Sequence, residues 1–434
     1  METIKYIDTG VNWLGKIPNT WESKRIKVLT RVKRGASPRP IDNPIYFDEE
    51  GEFAWVRIAD VTASERYLEN TTQRLSELGS SLSVKRYPDD FFLSIAGTVG
   101  KPIITKIKCC IHDGFVYFPD LKINPEFLYY IFSTGLPYLG LGKLGTQLNL
   151  NTDTVGDIYI PIPEEKEIEK IVSFLDERTA EIDNLISKKQ KLIECLKEEK
   201  IALINQAVIK GMYPENVTKF SGDKWLGYVP ASWEIKKIKY VSKVQGRVGF
   251  KGYSKQDIVT ASEGALTIGA KHIQDNKITL LDPEYISWEK YYESPEIFVE
   301  QGQILVVQRG SLGKVAIVEE DLGEATINPS MVILKNLEIN PKYLFYLLSS
   351  AYFTTFIELI NASTAVPMIS QEQLENLVIP KPSNEEMEAI VKFIEEKVTI
   401  IHNTIFHIEQ EIELIKEYRI SLINEVVTGK ITLN

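Results

Sequence analysis

Trp13-Leu14-Gly15-Lys16-Ile17-Pro18-Asn19-Thr20-Trp21-Glu22 is written a second time, with small changes, as Trp225-Leu226-Gly227-Tyr228-Val229-Pro230-Ala231-Ser232-Trp233-Glu234. Two tryptophans eight apart, with Gly and Pro between them, mark an internal repeat, and a repeat decides the architecture before any local reading does. The match extends outward. Gly97-Thr98-Val99-Gly100-Lys101 echoes Gly310-Ser311-Leu312-Gly313-Lys314. Ile123-Asn124-Pro125-Glu126-Phe127-Leu128-Tyr129-Tyr130 echoes Ile339-Asn340-Pro341-Lys342-Tyr343-Leu344-Phe345-Tyr346. Ile160-Pro161-Ile162-Pro163 echoes Ile379-Pro380-Lys381-Pro382. The offset drifts only from 212 to 219 residues across these matches, so insertions are few. Between them, residues 55–92 and 266–303 share little beyond an extended, β-rich character. A common frame with divergent contents fits two different readers; a tandem duplication that simply drifted leaves the same pattern.

Each Ile-Pro-x-Pro opens a heptad pattern. In the first copy Ile168, Leu175, Ile182, Leu196 and Leu203 hold one seam position, and Ile171, Leu185 and Leu192 its partner. In the second, Met387, Ile394, Ile401, Ile408, Ile415 and Leu422 are flanked by Val391, Val398, Ile405 and Ile412. This repeat predicts long coiled-coil-like helices, each roughly 60 Å at 1.5 Å per residue. Proline bars an earlier start, and Gly211 and Gly429 are natural stops. The fold class expected is α+β, with two globular mixed α/β domains separated by two long antiparallel helices about a pseudo-two-fold axis. The divisions are 1–159, 160–212, 213–378 and 379–434. A coiled coil serving oligomerisation alone would explain the helices but not two modules of matching plan.

The 434 residues are 44% hydrophobic and carry a net charge of -10. No window approaches the ~18 uninterrupted apolar residues of a membrane span, and no signal peptide is visible. Three cysteines make no disulfide framework and suit a reducing cytoplasm, so a cytoplasmic protein without a membrane partner is expected. The acidity is uneven. Residues 160–211 hold 9 Lys+Arg against 11 Asp+Glu and residues 379–434 hold 6 against 10, whereas residues 12–159 are nearly balanced at 18 against 17. Local charge, not the total, decides where a polyanion docks.

Two basic runs stand at corresponding places. Lys24, Arg25, Lys27, Arg31, Lys33, Arg34 and Arg39 follow one another without an acidic residue, as do Lys236, Lys237, Lys239, Lys243, Arg247, Lys251 and Lys255. A single basic run is usually a solvated face; two in register in an acidic chain favour phosphate contact. The Gly-x-x-Gly-Lys pairs lack the Walker spacing and the following Ser or Thr. They are either tight turns or loops whose amides, with Lys101 and Lys314, touch a DNA phosphate. Direct base readers are expected in the divergent strand-loop regions, with Arg57, Asp60, Gln147, Asn149, Lys271, His272 and Arg309 as candidates; internal salt bridges are the competing use of each.

Catalytic and metal chemistry find no support. His112, His272, His402 and His407 lie in no ligand spacing. No Gly-x-Ser-x-Gly or His-Glu-x-x-His occurs. The Asn/Asp-Pro-Pro-Tyr/Phe-like motif of an adenine methyltransferase is approached only by Asn43-Pro44-Ile45-Tyr46, with Ile for the second proline.

Together the doubled Trp-Leu-Gly-x-x-Pro-x-x-Trp-Glu, the basic Ile-Lys stretch, the Ile-Pro-x-Pro segments and the helix ends Leu203-Ile204-Asn205-Gln206-Ala207-Val208 and Leu422-Ile423-Asn424-Glu425-Val426-Val427-Thr428-Gly429-Lys430 resemble the specificity subunits of type I restriction-modification enzymes. The resemblance spans essentially the whole chain in the family's order. It implies that each recognition domain reads one half of a split double-stranded DNA target. It implies too that the helices set the separation and hold two methylation subunits, which use S-adenosylmethionine to methylate adenine, and that helicase-nuclease restriction subunits join them. This chain would carry no catalytic residue and no cofactor. The competing readings are a self-contained DNA methyltransferase or nuclease, and a coiled-coil DNA-binding scaffold without a methylation partner.

Overall fold

The repeated Trp-Leu-Gly-x-x-Pro stretch folds as a hairpin in both halves. Tyr6–Asp8 pairs antiparallel with Lys16–Pro18, and Thr218–Phe220 with Tyr228–Pro230. Gly15 and Gly227 sit in the hairpin loops at φ +59° and +69°, a conformation that costs glycine least. Leu14, Ile17 and Trp21 are buried in one copy, and Leu226, Val229 and Trp233 in the other. The first tryptophan of the motif differs: Trp13 is buried, whereas Trp225 is half exposed.

The computed structural model describes residues 5–141, 150–213, 217–247, 252–361 and 367–433. They form two compact units, one of residues 1–189 and 410–434, the other of residues 190–409. In the first unit a five-stranded sheet runs in the order Lys33–Arg34, Phe115–Tyr117, Phe91–Ser94, Pro102–Thr105, Tyr67–Leu68. A four-stranded sheet runs Gln73–Leu75, Phe53–Val56, Cys109–Ile111, Val84–Arg86. Its central pair is parallel, Ala54 to Val56 against Cys109 to Ile111.

The second unit has a related plan. One sheet runs Lys243–Gly246, Met331–Lys335, Ile304–Val307, Val315–Ile317, and the other Ile258–Val259, Glu284–Ser287, Gly264–Ile268, Ala325–Ile327. Here too one pair is parallel, Leu266 to Ile268 against Ala325 to Ile327, but Ala325–Ile327 stands at the sheet edge and the central pair, Gly264–Ile268 with Glu284–Ser287, is antiparallel. The segments that differ most in sequence therefore keep a common parallel pair, Phe53–Val56 with Cys109–Ile111 and Gly264–Ile268 with Ala325–Ile327, while the strands flanking it differ. The Ile-Asn-Pro motifs cap helices: Asn124 accepts from the amides of Glu126 and Phe127 at the head of Pro125–Ser133, and Asn340 from those of Lys342 and Tyr343 at the head of Pro341–Leu348. Asparagine at the cap and proline at the first helical position suit a helix start.

The Ile-Pro-x-Pro segments are strands, a departure from the sequence division that begins the spacers at 160 and 379. Tyr159–Ile162 pairs with Glu22–Arg25, and Val378–Lys381 with Glu234–Lys237. The long helices start just beyond, at Glu165–Lys210 and Asn384–Val427. They end against Gly211 and Gly429, at φ +74° and +70°. Within the first unit the helical segments run antiparallel: Arg419 bonds Asp183 bidentately at 2.9 and 3.1 Å, and Glu411 meets Lys189 at 2.5 Å. Ile168, Ile171 and Leu175 share a core with Leu422, Ile423, Val426 and Val427. Within the second unit Ile204, Ala207 and Val208 share one with Met387, Ile390 and Ile394. The seam of the first helix departs from the heptad reading, because Leu185 and Leu192 are 45% and 47% exposed while Ile193 is buried. Among the described residues no single helix is long and apolar enough to cross a membrane.

Candidate nucleic-acid interface

The parallel strand pair gives each module an edge at which two strand ends emerge together. In the first module Val56 leads into Arg57 and the one-and-a-half-turn helix Ile58–Ala63. Asp60 accepts from the Arg57 amide at 2.8 Å and from the Thr72 amide at 3.4 Å. In the second, Ile268 leads into Gly269 and the single turn Ala270–His272, where His272 Nδ1 accepts from the Gly269 amide at 3.0 Å. Asp60 and His272 are thus structural counterparts, each four residues past a strand end and each accepting from the amide three residues before it. They are buried at 9% and 2% exposure. That corrects their assignment as base readers: both carry the platform rather than face a partner.

The glycine loops close against the same platforms. Gly97, Gly100, Gly310 and Gly313 all have positive φ, and each loop joins two antiparallel strands. Lys101 Nζ donates to the carbonyls of Thr62 (3.0 Å) and Ser64 (2.5 Å), and Lys314 Nζ to that of Ile273 (3.1 Å). Burial lowers the Lys101 pKa. Both lysines tie off backbone carbonyls within tight turns, which corrects their expected use as phosphate contacts.

Tertiary structure also sorts the basic runs. Asp157 takes Lys27 at 2.6 Å and Arg25 at 3.4 Å, and the Lys27 hydrogen bond lowers its pKa. Lys24 pairs with Glu22, and Arg39 with Asp113 at 3.4 Å. Arg34 Nε donates to the Asp113 carbonyl. Arg31, Lys33 and Arg34 are exposed and, among the described residues, no carboxylate pairs with them. In the second run Lys236 meets Glu234 at 3.2 Å. Lys237 and Lys239 converge on Asn376 Oδ1 at 3.4 and 3.0 Å. Lys243 and Lys255 are exposed. Arg247 is buried at 6% exposure, bonded to the Ile327 carbonyl, Ser294 and Thr326, with its pKa lowered by burial. It braces the second module's sheets and is corrected from a phosphate contact to a core residue. Lys251, Gln147 and Asn149 lie outside the described residues.

Of the remaining reader candidates, Arg57 and Arg309 are exposed. Lys271 is held by Asp282 at 2.9 Å and Glu284 at 3.0 Å, whose hydrogen bonds raise its pKa. Sequence reading missed the neighbours of Arg57. Gln73 Oε1 accepts from its guanidinium, and a cleft of about 640 Å³ beside it is lined by Arg39, Trp55, His112 and Asp113. Burial lowers the His112 pKa, and its Nδ1 accepts from the Gly114 amide at 2.8 Å. Only the pairing of residues 54–56 with 109–111 brings these groups together, and no local signal announces it. Asn43-Pro44-Ile45-Tyr46 is a single capped turn. Among the described residues no His, Cys, Asp or Glu group could hold a metal ion.

Comparison with known proteins gives one consistent result. Residues 18–194 and 230–414 each match the type I restriction modification DNA specificity domain. The chain is 26% identical over 440 residues to the type I restriction enzyme MjaVIII specificity subunit of Methanocaldococcus jannaschii, covering 96% of this chain and 94% of that protein. It is 23% identical to the EcoBI specificity subunit of Escherichia coli, covering 71% and 67%. In fold it is similar to a chain from a solved type I restriction-modification assembly (TM-score 0.68, 15% identity, 96% and 99% covered). It is also similar to the HsdS subunit of Thermoanaerobacter tengcongensis (TM-score 0.54, 15% identity, 96% and 98% covered).

Proposed function

The chain belongs to the type I restriction modification DNA specificity domain family, and from that premise we propose how this specificity subunit selects its target. Each module reads one half of a bipartite double-stranded DNA sequence. Exposed cations of the shared frame, Arg31, Lys33 and Arg34 in one module and Lys243 and Lys255 in the other, hold phosphates and set register. Phosphate contacts position and base contacts specify, so the side chains that differ between the modules carry the sequence information. The observation that carries this reading is that two modules built on the same parallel strand pair differ at the residue that follows its first strand, Arg57 in one against Gly269 in the other.

The long helices fix the spacing of the two half-sites and dock two methylation subunits. Those subunits bind S-adenosylmethionine and transfer its methyl group to adenine, and restriction subunits join the same complex in the cytoplasm. This chain contributes binding, orientation and register, with no catalytic side chain of its own. The test is to map methyladenine across the host genome with and without the gene. A bipartite motif that disappears on deletion supports the reading. A second test exchanges residues 29–159 for the matching module of a relative, which changes one half of the motif only. Change in both halves, or methyl transfer by the purified chain alone, contradicts it.

A further inference from the structure

We propose that Arg57 reads a guanine in the half-site recognised by the first module; this rests on the reading of the chain as a DNA specificity subunit. Arg57 is exposed at the end of a central strand, its amide held by Asp60. One guanidinium amino group donates to Gln73 Oε1 on the neighbouring strand. That bond orients the fork and, out of five N–H donors, leaves others for the bidentate contact to guanine O6 and N7. Among the described residues no carboxylate pairs with it, in contrast to Lys271 in the second module.

The surroundings separate a base contact from a backbone contact. A second cleft beside Arg57, about 680 Å³, is bordered by Asp42, Asp48 and Glu49. Carboxylates there repel a phosphate, whereas the N4 amino group of the cytosine paired with that guanine is a donor they can face. The contact is also particular to this module. Its counterpart Gly269 carries no side chain, and a Cβ there would displace the Asn328 amide, whose Nδ2 would lie 2.3 Å away. A residue present at one edge and absent from the other is what two different half-sites require.

The test uses the full chain co-purified with its methylation subunits, and duplexes carrying the mapped target. If the wild-type complex shows no bipartite preference, the reading of function fails before Arg57 is tested. Given that preference, replacing each guanine of the first half-site in turn with 7-deazaguanine removes the N7 acceptor. One such position is expected to weaken wild-type binding about 10-fold. Arg57→Lys, which keeps the charge and loses the fork, is expected to bind the natural target about 10-fold more weakly and to show no further loss at that position. Methylation mapped in a strain carrying Arg57→Lys then relaxes at that guanine alone. An unchanged motif, an undiminished 7-deazaguanine effect, or an equal loss on every duplex including unrelated sequence overturns the proposal.

Discussion

Gly429→Ala should loosen the first unit far more than a glycine replacement usually does. Gly429 ends the second long helix at φ +70°, and an added Cβ would stand 2.6 Å from both Cγ and Cδ of Pro18 and 3.0 Å from Trp21 Cη2. Pro18 and Trp21 are buried, and a pyrrolidine ring cannot swing aside. The left-handed backbone costs alanine about 1–2 kcal/mol. Overpacking adds about 1–3 kcal/mol, so the total is about 2–5 kcal/mol. Gly15→Ala in the same unit isolates the first contribution, because its φ is +59° and nothing lies within 4 Å of the new Cβ. Hydrogen exchange of the Phe91–Ser94 amides reports the first unit and that of Ile304–Val307 serves as reference. At tenfold per 1.4 kcal/mol, Gly429→Ala should speed exchange in Phe91–Ser94 by about 30-fold or more, and Gly15→Ala by about 5- to 30-fold. Equal effects from the two substitutions would refute the argument that the helix end is seated against Pro18 and Trp21.

Lys33→Ala with Arg34→Ala should weaken DNA binding by the assembled complex on all sequences alike. It should flatten the dependence of log K on log salt by up to ~2 units, since each phosphate contact contributes ~0.9; titration at several salt concentrations checks this, and an unchanged slope excludes both residues from the backbone contact. Asp60→Ala removes a cap from a buried platform and should cost about 0.5–2 kcal/mol in unit stability while leaving the methylated motif unaltered. A new motif would make Asp60 a reader after all. Four residues inserted near Gln190, with a companion four near Glu409, lengthen each helix by ~6 Å. The non-specific gap in the methylated motif should grow by one or two base pairs at about 3.4 Å each. A complex that assembles and keeps the old gap shows that the helices serve docking alone.

The helix starts lay a few residues beyond the sequence division, after the strands Tyr159–Ile162 and Val378–Lys381, whereas the repeat, the order of module and helix, and the glycine stops of the helices were legible in the chain itself. They depend on local rules: glycine at positive φ in Gly15, Gly227, Gly211 and Gly429, asparagine caps at Asn124 and Asn340, proline ahead of each helix, and apolar period along it. The family was legible for the same reason, since those local devices are what the two copies preserve. Tertiary structure alone decided which polar side chains face outward. Lys27 and Arg25 were indistinguishable from Lys33 until Asp157, some 130 positions away, arrived beside them. Arg247 stands in a basic run yet is buried among Ser294, Thr326 and the Ile327 carbonyl. Asp60 and His272 share a role that no alignment of their surroundings could reveal, because a carboxylate and an imidazole nitrogen both accept a backbone N–H equally well. Charge and hydrogen-bond partners come from distant strands brought together by pairing, so a side chain's neighbours are a property of the fold, whereas its backbone preferences travel with the residue.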